Sequence, residues 1–449
     1  MPKVAFTTLG CRLNQAESDS MAEDLSGAGF EVAQGAEAPD VVVINTCTVT
    51  REATKASRMA IRRSVRNYPD ARVVVVGCYA VSDRSEIEEI EGVDLVLGND
   101  EKEAFVQALG ASAIAGPLMG IGFGPPGSKP APRRFEQPKV RANLKAQTGC
   151  DEWCSFCIIP TTRGPLRSMD EDGLIAQAQA RVDAGAREIV LTGVHLGKYT
   201  YDTGGDESSL IRLFERLLSI NGLWRLRLSS ILSRHLTDDV LAYMASEPRL
   251  CRYLHVPLQS GDDGVLEAMN RPYRIDDYIE RVEAAVTALP DVALATDIIV
   301  GFPGESDEAF EATMDVVRRM RFSKLHVFRY SARPATAAAD RTDDVSSDVK
   351  KSRSKRLIEL GNGIRRDFLE AHVGPRLQVL VEDERIVDGV SICSGQTDDY
   401  VRAWFEGSGL LGAMVEVEGT AIRSDGIRAT LIGAADNSHA LVSIREGIA

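Results

Sequence analysis

The chain has 449 residues, is 44% hydrophobic and carries a formal net charge of −14. That length suits two to four domains. No apolar run approaches the ~18–20 residues of a membrane span, and the acidic balance argues against a nucleic-acid partner unless Lys and Arg cluster locally. The N-terminus runs from Met1 straight into a strand pattern with no signal-peptide features. A cytoplasmic location is therefore expected, where clustered cysteines act as metal or redox ligands rather than disulfides. Residues 3–9, 40–46 and 72–77 read as buried strands, and each leads into a cysteine: Cys11, Cys47 and Cys78. Helical patterns occupy about 17–28 and 51–67. Apolar β-branched runs alternating with helices predict a parallel sheet covered on both faces. The strands of such a sheet end at one edge, where ligands bind. Cys11, Cys47 and Cys78 should therefore converge there as a metal site, although each alone would be an ordinary core thiol.

The helix after Cys47 carries Arg51, Lys55, Arg58, Arg62 and Arg66. These fall within about 80° of arc, opposite Ala53, Ser57, Ala60 and Ser64. Glu52 is the only acid in the stretch. A solvated face usually mixes signs, so this one reads as a phosphate-binding stripe for RNA.

Residues 110–138 are rich in Gly, Ala and Pro and read as a linker. A second strand–helix alternation follows, with strands at 141–147, 188–194, 224–230, 253–259, 293–300 and 323–330. The helices between them lie at 171–184, 208–219, 236–246, 262–269, 276–289 and 307–320. Six such units predict a partial (β/α) barrel, with its site at the carboxyl edge. After the first strand comes Cys150-Asp151-Glu152-Trp153-Cys154-Ser155-Phe156-Cys157. A loop this short can aim three thiolates at three irons of one [4Fe–4S] cube. The fourth iron stays open, unlike the usual four-cysteine ligation, and can chelate the amino and carboxylate groups of S-adenosylmethionine (SAM). This C-x3-C-x2-C spacing is the radical-SAM signature. Zinc sites bring ligands in pairs, and no second pair follows.

Phe156, Thr192, Gly193, Ser229, Gln259, Asp297 and Ile299 are candidate cofactor contacts, with Gly193 and Gly301 allowing close approach to the backbone. His255 and His326 read as satisfied core residues, and His195 does so only weakly. Cys251 and Cys393 read as buried structural thiols. A basic helical segment at 350–369 precedes short strands at 377–381, 400–405, 415–419 and 427–432. These predict a five-stranded, OB-like barrel. That unit is acidic, which weakens any role for it as the sole holder of RNA by charge. The fold class expected is thus α/β, with domains at 1–110, 139–370 and 371–443 and the linker at 111–138.

Taken together, the two cysteine sets, Thr8-Leu9-Gly10-Cys11-Arg12-Leu13-Asn14-Gln15 and Gln147-Thr148-Gly149-Cys150 leading to Cys157-Ile158-Ile159-Pro160 resemble the radical-SAM methylthiotransferase family, and within it the MtaB branch. Thr161-Thr162 and Pro272 depart from that branch. The resemblance covers nearly the whole chain and implies a C-terminal TRAM domain. It also implies action on N6-threonylcarbamoyladenosine at position 37, in the anticodon stem-loop of tRNA. Two [4Fe–4S] clusters and SAM would serve as cofactors, with an electron donor such as flavodoxin or ferredoxin. The cluster on Cys150, Cys154 and Cys157 would cleave SAM to a radical that takes hydrogen from C2. The cluster on Cys11, Cys47 and Cys78 would carry the sulfur, and the base would sit between them. No catalytic side chain beyond the cluster ligands is expected. Sister branches act on isopentenyladenosine in tRNA or on a ribosomal-protein aspartate. A non-catalytic iron–sulfur RNA-binding protein is the alternative from another class.

Overall fold

The computed structural model describes residues 1–33, 37–111 and 139–434. The linker expected at 111–138 and the end of the small barrel beyond 434 lie almost wholly outside them. Contacts divide the chain into two units. The first comprises Met1–Pro138, Gln147–Arg167 and Ser331–Ala339; the second comprises Lys139–Ala146, Ser168–Tyr330 and Asp340–Ala449.

The first unit is built on β1 (Lys3–Thr8), β2 (Glu31–Val32), β3 (Val41–Thr46), β4 (Arg72–Gly77) and β5 (Leu95–Leu97), all parallel in the order β2-β1-β3-β4-β5. Successive side chains alternate between faces. Val41 and Val43 pack with Met21, Leu25 and Phe105 on one side. Val42 and Ile44 pack with Ile61, Tyr79 and Ile87 on the other. This explains why the strands are apolar throughout. Helices α1 (Arg12–Gly27), α2 (Arg51–Asn67), α3 (Cys78–Ser82), α4 (Arg84–Glu88) and α5 (Phe105–Ala111) accompany these strands. Thr50 caps α2 by accepting the Ala53 N–H at 3.0 Å, an N-cap that satisfies one orphan donor. The strands end where expected, but β2 and β5 went unpredicted, being two and three residues long.

In the second unit, β6 (Arg141–Lys145) opens the alternation. Gln147–Arg167, which belongs to the first unit, follows in the chain; β7 (Gln147–Thr148), α6 (Ile159–Arg163) and β8 (Arg167–Ser168) bracket the cysteine loop. The alternation resumes with α7 (Glu171–Asp183), β9 (Glu188–Thr192), α8 (Ser208–Leu218), β10 (Arg225–Leu228), α9 (Asp238–Ser246) and β11 (Tyr253–His255). It ends with α10 (Asp263–Ala268), α11 (Ile275–Ala288), β12 (Ala293–Val300), α12 (Asp307–Met320) and β13 (Lys324–Arg329). The six strands form two parallel sheets, β10-β9-β6 and β11-β12-β13, linked by isolated bridges such as Ser230 to His255. The helices bury Leu174, Leu213, Phe214, Tyr278, Phe310 and Val317 against them. The long helix α13 (Ser347–Glu370) leads to β14 (Arg376–Val387), β15 (Val390–Gln396), β16 (Arg402–Glu406), β17 (Met414–Arg423) and β18 (Gly426–Ala434), which close into a barrel. β15 went unpredicted because its sequence, Val-Ser-Ile-Cys-Ser-Gly-Gln, is half polar. Within this unit the buried Arg227 ties strand to small barrel. It donates to Glu188 at 2.7 Å and to the Thr397 and Asp398 carbonyls at 3.0 and 2.7 Å.

Candidate metal centre

Register brings the three dispersed cysteines to one edge. Thr8 pairs with Asn45, and Thr46 with Gly77, so Cys11, Cys47 and Cys78 follow neighbouring strand ends. Gly10 sits against Cys47 with φ +95°; a Cβ there would lie 2.8 Å from Cys47 Sγ. Only glycine adopts that backbone cheaply and leaves the thiol its space. Ser57 Oγ accepts the Cys47 N–H at 3.0 Å, which holds the turn into α2. Cys47 and Cys78 are buried, whereas Cys11 is exposed. Burial pushes the Cys47 thiol up to about 11, and negative charge on Cys78 and Cys11 adds to the rise.

The cysteine loop belongs to the same unit. Its turn is local: the Cys157 N–H donates to the Cys154 carbonyl at 2.9 Å, and the Cys150 N–H to the Gly164 carbonyl at 3.2 Å. Gly149, at φ +71°, lies so close to the Pro165 carbonyl that no side chain fits. The Ala338 N–H donates to the Ser155 carbonyl at 2.7 Å, which anchors the loop to 331–339. Cys150, Cys154, Phe156 and Cys157 are half-buried, and Trp153 is 65% exposed. Burial pushes Cys150 up to about 11, and Cys154, Glu152 and Asp151 add to it. Both sets are soft thiol donors in threes, a donor set that suits iron–sulfur ligation with one iron left for an outside ligand. Metal binding must release the protons that Cys47 and Cys150 hold.

A buried charged group, missed in the sequence, lies behind the dispersed cysteines. Glu17 accepts from Lys102 Nζ at 2.6 Å and from Arg163 at 2.7 Å, and all three side chains are at most 4% exposed. Asn45 Oδ1 takes a second Lys102 bond at 3.0 Å, and Asn14 Oδ1 takes Arg163 at 2.6 Å. Asn99 donates to the Thr162 carbonyl at 2.7 Å and reaches Cys78 Sγ at 3.5 Å. No sequence signal marked it: Lys102 stands among Asp100, Glu101 and Glu103, and Glu17 shares the buried side of α1 with Asn14, Ser18 and Glu23, so their pairing needed the fold.

The basic stripe faces outward as expected, with Ser57, Ile61 and Ser64 buried on the opposite side. Arg51, Thr54, Lys55, Arg58, Met59, Arg62 and Arg333 line a cavity of about 320 Å³. Arg333 is a further cation that the sequence did not reveal. It donates to the Thr48 carbonyl and hydroxyl and to Thr54 Oγ1 at 3.0 Å. Arg58, on the same outward side, already has partners within the protein. It pairs with Glu86 and donates to the Tyr79 hydroxyl at 3.1 Å, an acid and a phenol that lie far from it in sequence.

In the second unit several candidate contacts are already engaged. Thr192 is buried, and its hydroxyl donates to the Leu144 carbonyl at 3.0 Å. Gly301, at φ +72°, lies against the stem of Lys350. Asp297 Oδ1 lies 3.1 Å from His255 Nε2 and 3.3 Å from His326 Nδ1. Burial raises the Asp297 carboxyl, but the two imidazoles outweigh it and hold the group well below the usual range. His255, whose side chain is 12% exposed, and His326, at 37%, are therefore partners of a carboxylate, and they converge because β11, β12 and β13 are neighbours. His195, by contrast, is buried against His235, Nε2 to Nε2 at 3.1 Å. Ile299 is buried, Gly193 is half-buried, and Gln259 is buried at φ +70°. Ser229 Oγ is buried and has no hydrogen-bond partner among the described residues. Cys251 and Cys393 are buried, and burial pushes Cys251 up to about 12.

Comparison with known proteins decides the family. Residues 3–98 match the model described as uncharacterized protein family UPF0004, and residues 144–317 match the radical SAM superfamily. The chain is 37% identical over 93% of its length to threonylcarbamoyladenosine tRNA methylthiotransferase MtaB of Bacillus subtilis, covering 94% of that protein. It is 36% identical over 92% of its length to the enzyme of the same name from Aquifex aeolicus, covering 99%. The chain belongs to the radical-SAM methylthiotransferase family, in its MtaB branch. Another relative, the tRNA-2-methylthio-N(6)-dimethylallyladenosine synthase of Sorangium cellulosum, is 36% identical over 97% of this chain and covers 94% of that protein. Among solved structures, the radical SAM methyltransferase TsrM from Kitasatospora setae matches with TM-score 0.54 and 16% identity, covering 76% of this chain and 77% of that one. That likeness concerns the fold alone. Among the described residues, no helix of this family member is long and apolar enough to cross a membrane.

Proposed function

We propose that this methylthiotransferase converts N6-threonylcarbamoyladenosine at position 37 of tRNA to its 2-methylthio derivative, with SAM and two [4Fe–4S] clusters as cofactors. The observation that carries the reading is the presence of both three-cysteine sets in one structural unit. Cys11, Cys47 and Cys78 would hold one cluster, and Cys150, Cys154 and Cys157 the other. When bound, the cofactors supply radical cleavage of an unactivated C–H bond and sulfur transfer, which no side-chain acid or base provides. The chain's own part is to hold and orient. Gly10 keeps room beside Cys47, and the Gly149 turn sets the loop. Phe156, Thr192, Gly193, Ser229, Gln259, Asp297 and Ile299 stay as SAM contacts. Ser229 is the best supported of these by its unpartnered hydroxyl, and Thr192 and Asp297 the least, because each is engaged within the protein. Arg51, Lys55, Arg62 and Arg66 would take the phosphates of the anticodon stem-loop, with Arg58 secondary. Such contacts position the RNA rather than read its sequence. A flavodoxin or ferredoxin would deliver electrons, in the cytoplasm. Domains at 1–110, 139–370 and 371–443 remain the proposed division.

The test is mass spectrometry of tRNA nucleosides from a strain lacking this chain. The 2-methylthio derivative of N6-threonylcarbamoyladenosine should vanish and return on complementation. Its persistence, with loss of a methylthio-isopentenyl nucleoside instead, would move the substrate to the sister branch.

A further inference from the structure

The buried charges behind the dispersed cysteines do not balance. Lys102 and Arg163 share the carboxylate of Glu17, and the other acceptors they reach are the neutral side chains of Asn45, Asn14 and Thr148. An uncompensated buried charge is costly unless another group answers it. The group available is the cysteine site. Burial lowers Lys102, and the neighbouring Arg163 adds to that, while the negative charges of Glu17 and Cys78 oppose it; at Arg163 burial is outweighed by Cys78, Glu17 and Cys11. Asn99 also turns its amide toward Cys78. A [4Fe–4S] cube on three thiolates carries net negative charge, opposite in sign to the surplus of the triad.

We propose that Lys102, Glu17 and Arg163 form a built-in counter-charge for the cluster on Cys11, Cys47 and Cys78, with a net positive charge that raises the reduction potential of that cluster. The proposal rests on those cysteines holding a cluster. Buried charge and hydrogen bonding near sulfur are among the protein's means of setting such potentials. In this arrangement the three residues are positioning residues, because none needs to touch substrate. Arg163 sits on α6, six residues after Cys157, so the same triad also links the segment of the second cysteine set to α1, which starts next to Cys11.

The test uses the full chain with Cys150, Cys154 and Cys157 replaced by Ala, so that one cluster remains. Iron content is measured first, and loss of iron on adding Cys47→Ala identifies that cluster with the dispersed set. If iron does not depend on Cys47, the cluster assignment fails, and the counter-charge proposal falls with it. With the assignment secure, dithionite titration followed by electron paramagnetic resonance gives the one-electron midpoint potential. Lys102→Met should lower it, Glu17→Gln should raise it, and the double variant should return toward the parent. Arg163→Lys, which keeps the charge, should shift it least. A purely structural role would lower thermal stability in each variant and leave the potential in place, or move it in one direction throughout; either result overturns the proposal. Should Lys102→Met not fold, Lys102→Gln gives the same comparison, because amide length preserves part of the packing.

Discussion

The two cysteine sets reach the same donor chemistry by opposite routes. The C-x3-C-x2-C loop is set by its own backbone: a Cys157-to-Cys154 turn bond, a bond from Cys150 to Gly164 and a glycine at 149. It is half-exposed and flanked by the acids Asp151 and Glu152. The dispersed set depends on strand register across β1, β3 and β4. Cys47 and Cys78 are buried, and a positively charged triad backs them. On the proposed assignment, an open loop would suit a cluster that meets a free cofactor, and a rigid sheet edge with fixed counter-charge would suit a cluster that acts later in the reaction.

The largest expected effect separates the two sets by product. Replacing Cys150, Cys154 and Cys157 by Ala should halve the iron, from about eight per chain with two four-iron cubes, and abolish SAM cleavage. Formation of 5′-deoxyadenosine by that variant would sink the assignment. Cys47→Ala should also halve the iron, yet still cleave SAM while making no methylthio nucleoside. Full product from it would reduce Cys47 to a core thiol. If both variants lose both activities, the two sites form one cooperative unit and the contrast above is wrong.

Next comes the stripe on α2. Arg51→Glu with Arg62→Glu should weaken tRNA binding and flatten its salt dependence, by roughly 0.7–0.9 in log–log slope for each phosphate no longer neutralised. Arg58→Glu should do less at equal salt, because Glu86 already neutralises Arg58. Titrating tRNA at several salt concentrations measures both. Equal slopes for all variants and wild type would make the stripe a solvated face and leave α13 as the basic segment to hold RNA.

The smallest effect lies at the C-terminal barrel. His372 Nε2 lies 2.6 Å from Asp399 Oδ2. Burial opposes the imidazolium, but the bond to Asp399 outweighs it, so the His372 value is raised. Burial likewise opposes the Asp399 carboxylate, and His372 overcomes it, so that value is lowered. A raised histidine stabilises the fold below its unfolded value of ~6.5 and loses that contribution as pH climbs through the folded value. The lowered aspartate contributes above ~3.9 and is lost on acidification. His372→Gln should thus cost on the order of 1 kcal/mol near pH 6 and less at alkaline pH. Thermal unfolding across pH checks the sign; a deficit that grows with pH contradicts it.

Much of this protein was legible in one dimension. Long apolar β-branched runs and amphipathic helices marked nearly every larger element, because burial on both faces of a parallel sheet leaves a continuous signal. The C-x3-C-x2-C loop was equally plain, since its ligands are near neighbours in sequence. Convergence of Cys11, Cys47 and Cys78 could be inferred from strand topology alone. What escaped was everything carried by contacts between distant residues: Glu17 with Lys102 and Arg163, Arg58 with Glu86, Arg333 with Thr48, and the two histidines on Asp297. Short strands such as Glu31–Val32 also escaped, because two residues cannot establish a period. Composition and periodicity record which face a residue buries. They do not record which charge it meets there, and only the folded chain, by bringing segments from opposite ends of the sequence together, decides that.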